Sequence, residues 1–376
     1  MIRLFLAGDV MLGRGIDQIL RHPNDPRLWE EYISSSIDYV RLAELKHGPI
    51  PRTQDLAYVW GDALTTLEAI RPDAGIVNLE TSVTDRGQPE PKGINYRMAP
   101  ANAAAIASMG IDCCILANNH VLDMGQEGLD QTLDVLHRIP VATTGAGRNA
   151  QEASAPAVIR TGAGRVLVFG LAGADSGVPG HWAATSRGPG VNLVQRFDST
   201  AVREVSAAVA RIKQKGDVAV ASVHWGANWG YDIPQEHIEF AHGLIDDAMI
   251  DLVHGHSSHH AKGWETYEGK LILYGCGDFV NDYEGISGYE QYRSDLSLMY
   301  VPTIDPNGQL RALGIHPFQM RKFRLQRAAR ADVLWLSSML NANARSAGAR
   351  FVEAADGSLD LAGLGVPRGG GRGIQS

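Results

Sequence analysis

Short apolar runs alternate along the chain with longer stretches whose apolar residues recur at helical spacing. The runs at 2–7, 74–77, 113–116, 166–171, 218–223, 252–253 and 271–274 read as buried strands. The stretches at 56–70, 101–109, 128–136, 200–213, 236–248 and 331–341 read as amphipathic helices. Such alternation predicts an α/β fold, and no internal repeat interrupts it. Segment 21–55 carries proline and charge clusters around one helix-like stretch, the pattern of an inserted loop or cap. The expected organisation is one catalytic domain over 1–325 that includes this cap, a helical extension over 326–362, and a disordered glycine-rich tail over 363–376.

The residues just past each apolar run are as informative as the run itself. The strand ends lead into "GDV", "NLE", "ANNH", "HWG", "HGHSSHH" and "GCGD". In open α/β sheets the carboxyl ends of strands converge on the ligand site, so these Asp, Glu, Asn and His side chains are expected to meet in space. The densest stretch is "VHGHSSHH" at 253–260, which overlaps the end of the apolar run "AMIDLV". A rigid strand in front of a histidine cluster is what a metal site requires.

Composition narrows the class without changing this picture. The chain has 376 residues, 44% hydrophobic and 20% charged, which is globular rather than disordered. A net charge of −8 gives no reason to expect nucleic acid or an anionic membrane as a partner. No apolar stretch approaches a membrane span, and the opening "MIRLFLAGDV" meets Gly8-Asp9 too soon for a signal core. Three cysteines, two of them adjacent in a predicted strand, fit core filler in a reducing cytoplasm better than a disulfide framework.

Carboxylate, amide oxygen and imidazole together suit a divalent cation of hard or borderline character. Asp9, Glu80, Asn119, His224, His256 and His259 supply that mixture, each at or just past a predicted strand. One or two such ions are expected, with Mn, Zn, Fe, Mg or Ca all compatible with the donors.

The ordered set "GDVMLGR", "VNLETSVT", "LANNHVLDMG", "VHWG", "HGHSSHH" and "LILYGCGDF" resembles the CapA-like proteins of poly-γ-glutamate capsule biosynthesis. That family is related to calcineurin-like metallophosphoesterases, and the resemblance spans about residues 1–325. It implies an αββα sandwich with a metal site at the strand carboxyl ends. It also implies roles: Asp9 as the aspartate after the first strand, Glu80 as a bridging carboxylate, and Asn119 as an amide ligand. His120 would act as acid or base with Asp123 orienting its ring, and His224, His256 and His259 would be imidazole ligands.

Departures from the phosphoesterase pattern bear on the chemistry. Met11 stands where those enzymes place a histidine ligand, and a thioether is a poor ligand for a hard cation. Glu80 replaces an aspartate. A site thinned in this way suits one metal better than the two-metal phosphate clamp, whose ions sit roughly 3.5–4 Å apart. His254 and His260 are open either to compensate or to support the ligands. Asp278 and Asp282 are expected to hydrogen-bond a ligand histidine. Arg14, Lys92 and Arg97 are candidate substrate clamps, and Trp225 a candidate pocket wall with Trp229 and Tyr231, although core packing is the commoner fate of such rings.

The resemblance implies three candidate functions. The favoured one is cofactor-independent Cα epimerisation of a ribosomal, lasso-type peptide, as in soluble members of the family, with His120 and a second histidine such as His224 exchanging the proton. The second is metal-dependent hydrolysis of a phosphoester or amide. The third is a capsule-polymer assembly subunit. The expected partner is a peptide or small anionic substrate, with no nucleic acid and no membrane.

Overall fold

Parity along three strands explains where the chemistry faces. On the strand Val218–His224, residues 218, 220, 222 and 224 share one face and read Val, Val, Ser, His. On the parallel neighbour Leu252–His256, Ser222 stands beside His254 and His224 beside His256. One face of this sheet therefore turns from apolar to imidazole-rich as it approaches its carboxyl edge. The opposite face, with Ala219, Ala221, Val223 and Val253, packs against the helices Ser199–Ala210 and Gln235–Asp246.

The computed structural model describes residues 1–364, so most of the predicted glycine-rich tail, 365–376, lies outside the described residues. Two sheets stack face to face. The larger has ten strands, with Ile2–Val10 near its centre flanked by Ala74–Leu79 on one side and by Leu296–Ile304 on the other. The smaller has seven, built on Gly164–Gly173, Val218–His224, Leu252–His256 and Lys270–Leu273 in parallel. Leu4, Leu6, Ile76, Val168, Val220 and Leu252 belong to one continuous core between them. The result is the expected αββα sandwich.

The first strand carries a bulge that decides the site. Leu6 pairs with Ile76 and Ala7 with Val77, but Asp9 pairs with Asn78, so one residue is extra at Gly8. The extra residue shifts Asp9 onto the face that Leu6 occupies, between the sheets, where a regular strand would have turned it away. Only glycine fits at the bulge: a Cβ there would lie 1.9 Å from the Gly277 carbonyl oxygen.

Several elements differ from expectation. The helix expected at 56–70 breaks into a 3₁₀ turn, Tyr58–Trp60, and a helix, Asp62–Ile70. Gly61 lies between them at φ +46°, and any Cβ there would strike the Leu325 oxygen at 2.0 Å. The extension after 325 is not wholly helical. Helix Arg330–Ala342 is followed by a hairpin of Arg350–Glu353 and Leu359–Ala362, which joins the large sheet by pairing Leu359 with Ile315. Segment 21–55 contains the helix Ser36–His47 and walls one side of a large cavity. Among the described residues no helix is long and apolar enough to cross a membrane.

Candidate metal centre

Asn78 is the hub of the site: it opens the strand-end motif "NLE", although only Glu80 of that motif is expected among the ligands from sequence. Its amide donates to Asp9 Oδ1 at 2.7 Å and to Glu80 Oε2 at 2.9 Å, and it lies 3.5 Å from His224 Nδ1. Its own oxygen is held by Asn118 Nδ2 at 3.0 Å. Asn118 also accepts from the His120 and Val121 amides at 3.0 Å each, so the first asparagine of "NNH" shapes the turn. That turn leaves Asn119 Oδ1 buried with no hydrogen-bond partner.

Two triads of possible ligands share Asp9: Asp9 with His224 and His256, and Asp9 with His259 and Asp278. All five residues are buried. His224 Nδ1 faces His256 Nδ1 at 3.0 Å, and His256 Nδ1 lies 3.9 Å from Asp9 Oδ1. His259 Nδ1 is 3.0 Å from Asp278 Oδ1, whose second oxygen accepts from Asn281 Nδ2 at 2.9 Å. Glu80 stands beside the first triad, with Oε2 3.8 Å from His224 Nδ1.

The residues present fit a divalent cation. Asp9 Oδ2, Asn119 Oδ1 and His224 Nε2 are buried and without hydrogen-bond partners, a costly state for protein alone and the natural one for ligand atoms. The acids crowd each other as well. Burial, reinforced by Asp278, pushes the Asp9 carboxyl up to about 7, and burial together with Asp9 also raises Glu80 well above the usual carboxylate range. Burial pushes His224 and His256 down, toward the neutral form that binds metal. At His259 burial also acts downward, but the Asp278 carboxylate overrides it and the net shift is upward.

Asp278 is the ligand-type residue that sequence reasoning placed one step too far out. It begins a short strand, Asp278–Val280, that docks in parallel on the first strand and sets Asp278 beside Asp9. Asp278 supplies a carboxylate donor to the second triad from a different strand, and the Met11 sulfur lies 3.7 Å from the Tyr283 hydroxyl. His254 sits behind His256, joined to it through Ser222 Oγ at 3.0 Å on each side. His260 Nδ1 lies 3.0 Å from the Ala261 oxygen, and its ring stacks near Tyr292.

His120 flanks the centre on the Glu80 side. Its Nδ1 meets Asp123 Oδ2 at 2.6 Å, leaving Nε2 turned toward Glu80 Oε1 at 3.8 Å. Asp123 is held by the Tyr96 amide at 2.6 Å and by Lys92 Nζ at 2.7 Å. Burial lowers His120 to about 4, so Nε2 is a free base at neutral pH.

The remaining sequence candidates divide. Lys92 is at the site, 3.3 Å from His120 Nδ1. Arg14 is spent on structure: its guanidinium binds Asp282 in bidentate fashion at 2.5 and 3.1 Å, and also Glu30 and Tyr39. Arg97 donates to the Asp25 oxygen at 2.9 Å and lies over Trp29, tying down the cap rather than facing the cavity. Trp225 is buried, stacked on His237 and Tyr274 with its Nε1 on the Tyr274 oxygen, so it packs the outer core instead of lining the cavity beside the site.

A cavity of about 960 Å³ opens on His259 and Tyr283. The cap contributes Tyr32, Ile33 and Leu42, and the far wall carries Ile94, Trp229 and Ile286.

Residues 3–283 match the family described as "Bacterial capsule synthesis protein PGA_cap". The chain belongs to this family. A Mycobacterium tuberculosis relative, "Probable polyglutamine synthesis accessory protein", is 44% identical over 364 residues, 96% of each chain. "PGA biosynthesis protein CapA" of Bacillus subtilis is 25% identical over 78% of this chain and 66% of its own length. "Capsule biosynthesis protein CapA" of Bacillus anthracis is 23% identical over 75% of this chain, which spans 60% of that relative. Among solved structures, the 5'-nucleotidase precursor from Thermus thermophilus aligns at a TM-score of 0.44 and 15% identity, over 89% of this chain and 57% of the other. The candidate site residues Asp9, Glu80, Asn119, His120, His224, His256 and His259 all lie within the matched span.

Proposed function

We propose that this PGA_cap protein is a metal-dependent hydrolase acting on an amide or phosphoester linkage of a glutamyl-chain substrate. One observation carries the reading: two ligand triads meet at a shared Asp9, an arrangement suited to a pair of cations. The names of the relatives supply the substrate class. When bound, the cations would supply Lewis acidity at the scissile group and lower the pKa of an attacking water.

The chain's own residues account for the rest. Asp9, His224 and His256 would hold one ion, and Asp9, His259 and Asp278 the other, with Glu80 and Asn119 beside them. Asp123 keeps the His120 proton on Nδ1, so Nε2 is available to take a proton from water and return it to the leaving group. Lys92 holds the Asp123 carboxylate in place.

A second reading, Cα epimerisation of a peptide, is favoured by the cavity lining. Ile33, Leu42, Ile94, Trp229 and Ile286 suit peptide side chains better than a run of carboxylates. His120 would then be one proton carrier of two.

The test is incubation of the metal-reconstituted protein in D2O with poly-γ-glutamate, glutamyl peptides and a chromogenic phosphodiester. Metal-dependent cleavage without deuterium at Cα supports the hydrolase. Deuterium uptake with D-residue formation and no cleavage transfers the assignment to the epimerase. Neither outcome, in protein that holds its metal, removes both.

A further inference from the structure

Tyr283 stands where the cavity meets the metal centre. It is half-buried and lines the cavity, and its hydroxyl lies 3.5 Å from His259 Nε2 and 3.7 Å from Met11 Sδ. The same segment delivers Asp278 to the centre and Asp282 to Arg14, and the Tyr283 amide is fixed by Asn281 Oδ1 at 3.1 Å. The phenol is therefore held as firmly as the ligands.

The direction of its hydrogen bond is set by its neighbour. Tyr96 is 1% exposed, and among the described residues the only partner of its hydroxyl is the Tyr283 hydroxyl at 2.9 Å. A buried phenol must place its proton on an acceptor. Arg14, stacked 4.4 Å over the Tyr96 ring, has none to offer. Tyr96 thus donates to Tyr283, and the proton of Tyr283 points elsewhere. Its protein alternatives are weak: a thioether is a poor acceptor, and 3.5 Å to His259 Nε2 is at the outer limit of a hydrogen bond.

We propose that the Tyr283 hydroxyl is a hydrogen-bond donor to an anionic oxygen of the bound ligand, on the His259–Asp278 side of the centre. The ligand group is an oxyanion, either the charge that develops on a scissile carbonyl or phosphoryl oxygen or the oxygen of a released product. This donor role extends the hydrolytic function and rests on it for the catalytic consequence. It also accounts for Met11, whose apolar, weakly accepting side chain leaves the phenol proton uncommitted. Tyr96 acts through Tyr283 and is a positioning residue.

The experiment compares wild type, Tyr283→Phe and Tyr96→Phe, each metal-reconstituted, in metal content, thermal melt, and affinity for orthophosphate by titration calorimetry. Tyr283→Phe keeps the ring and should keep the metal, with a melt only modestly lowered because the buried Tyr96 hydroxyl loses its acceptor, while phosphate affinity falls about tenfold or more, as expected for one hydrogen bond to a charged group. Tyr96→Phe leaves the donor in place and should lose clearly less affinity than Tyr283→Phe, because only a neutral bond one step removed from the ligand is deleted. Unchanged phosphate affinity in Tyr283→Phe overturns the proposal, as does wild type that holds its metal and binds no phosphate. A Tyr96→Phe protein as weak as Tyr283→Phe overturns the direction of donation. The phosphate readout is independent of turnover: affinity lost in Tyr283→Phe while wild type cleaves nothing keeps the donor and removes the hydrolytic reading. If turnover is observed, Tyr283→Phe should lower kcat about 100-fold with little change in metal content.

Discussion

Asp9 and Asp278 lie side by side in register on adjacent parallel strands, both buried, with His259 on Asp278 and Asn78 on Asp9. Two carboxylates so placed repel unless a proton or a cation lies between them. Asp278→Asn removes the acid from one triad and leaves the other whole. The expected result is loss of about one equivalent of bound metal by elemental analysis, with turnover down more than about 100-fold. Two equivalents retained with full activity would return Asp278 to a supporting role.

The metal-free protein should be sensitive to pH in a definite direction. Burial and Asp278 hold the Asp9 carboxyl near 7 when folded, against 3.8 ordinarily, so the folded form keeps a proton that the unfolded chain releases. Its contribution to stability is fully present below pH 3.8 and is lost as pH rises through 7. Chelated protein should therefore melt lower at about pH 8 than at about pH 5.5 on account of this group, and added metal should reverse that trend. Metal affinity should weaken as pH falls below 7, because proton and cation compete for Asp9. A melt independent of pH in chelator would show that the acids are not crowded.

His120→Gln retains the size of the side chain and removes the basic nitrogen. Turnover should fall about 10²–10⁴-fold while metal content and melt are preserved. Lys92→Met should act more mildly, loosening Asp123 without removing the base. If His120→Gln instead lost the metal, the ring would have to be counted among the ligands.

Arg14 bridges the first-strand loop, the cap and the segment that carries Asp278, entirely out of water. Removing a guanidinium of this kind leaves Asp282 buried without its partner. Arg14→Met should cost about 3–5 kcal/mol of stability in denaturant titration. A variant as stable as wild type, with weakened substrate binding, would restore the substrate-clamp role expected from sequence.

Gly8→Ala tests the bulge. Its Cβ would meet the Gly277 carbonyl and the Cys276 Cβ, neither of which is the far end of a flexible side chain that could give way. Overpacking of this sort costs about 1–3 kcal/mol or more, and the displaced Asp9 should carry metal affinity down with it. Unaltered stability and metal binding would mean that the strand relaxes around the extra carbon.

The sequence by itself determined seven strand cores, four of the helices and most of the side chains that meet at the centre, but not the strands Leu296–Ile304 and Leu310–Met320 of the large sheet. It could reach those side chains because Asp9, Glu80, Asn119, His224, His256 and His259 stand at or just past continuous apolar runs whose ends the sequence makes legible. It also carried the family, through six short motifs in order. What it could not carry were relations between segments far apart in the chain. Asp278 becomes a ligand-type neighbour of Asp9 only when a three-residue strand docks across a glycine bulge, and so short a strand has no periodicity to read. Asn78 opens a strand-end motif in the sequence, but only the fold sets its amide between two carboxylates. Trp225 and Arg14 carry side chains fit for binding, and the packing of the smaller sheet against its helices and of the cap against the site assigns them to structure instead. Local pattern fixes which face a residue takes within its own element. Which residues share that space is decided by how sheets stack and where strands lose register, and those are properties of the folded whole.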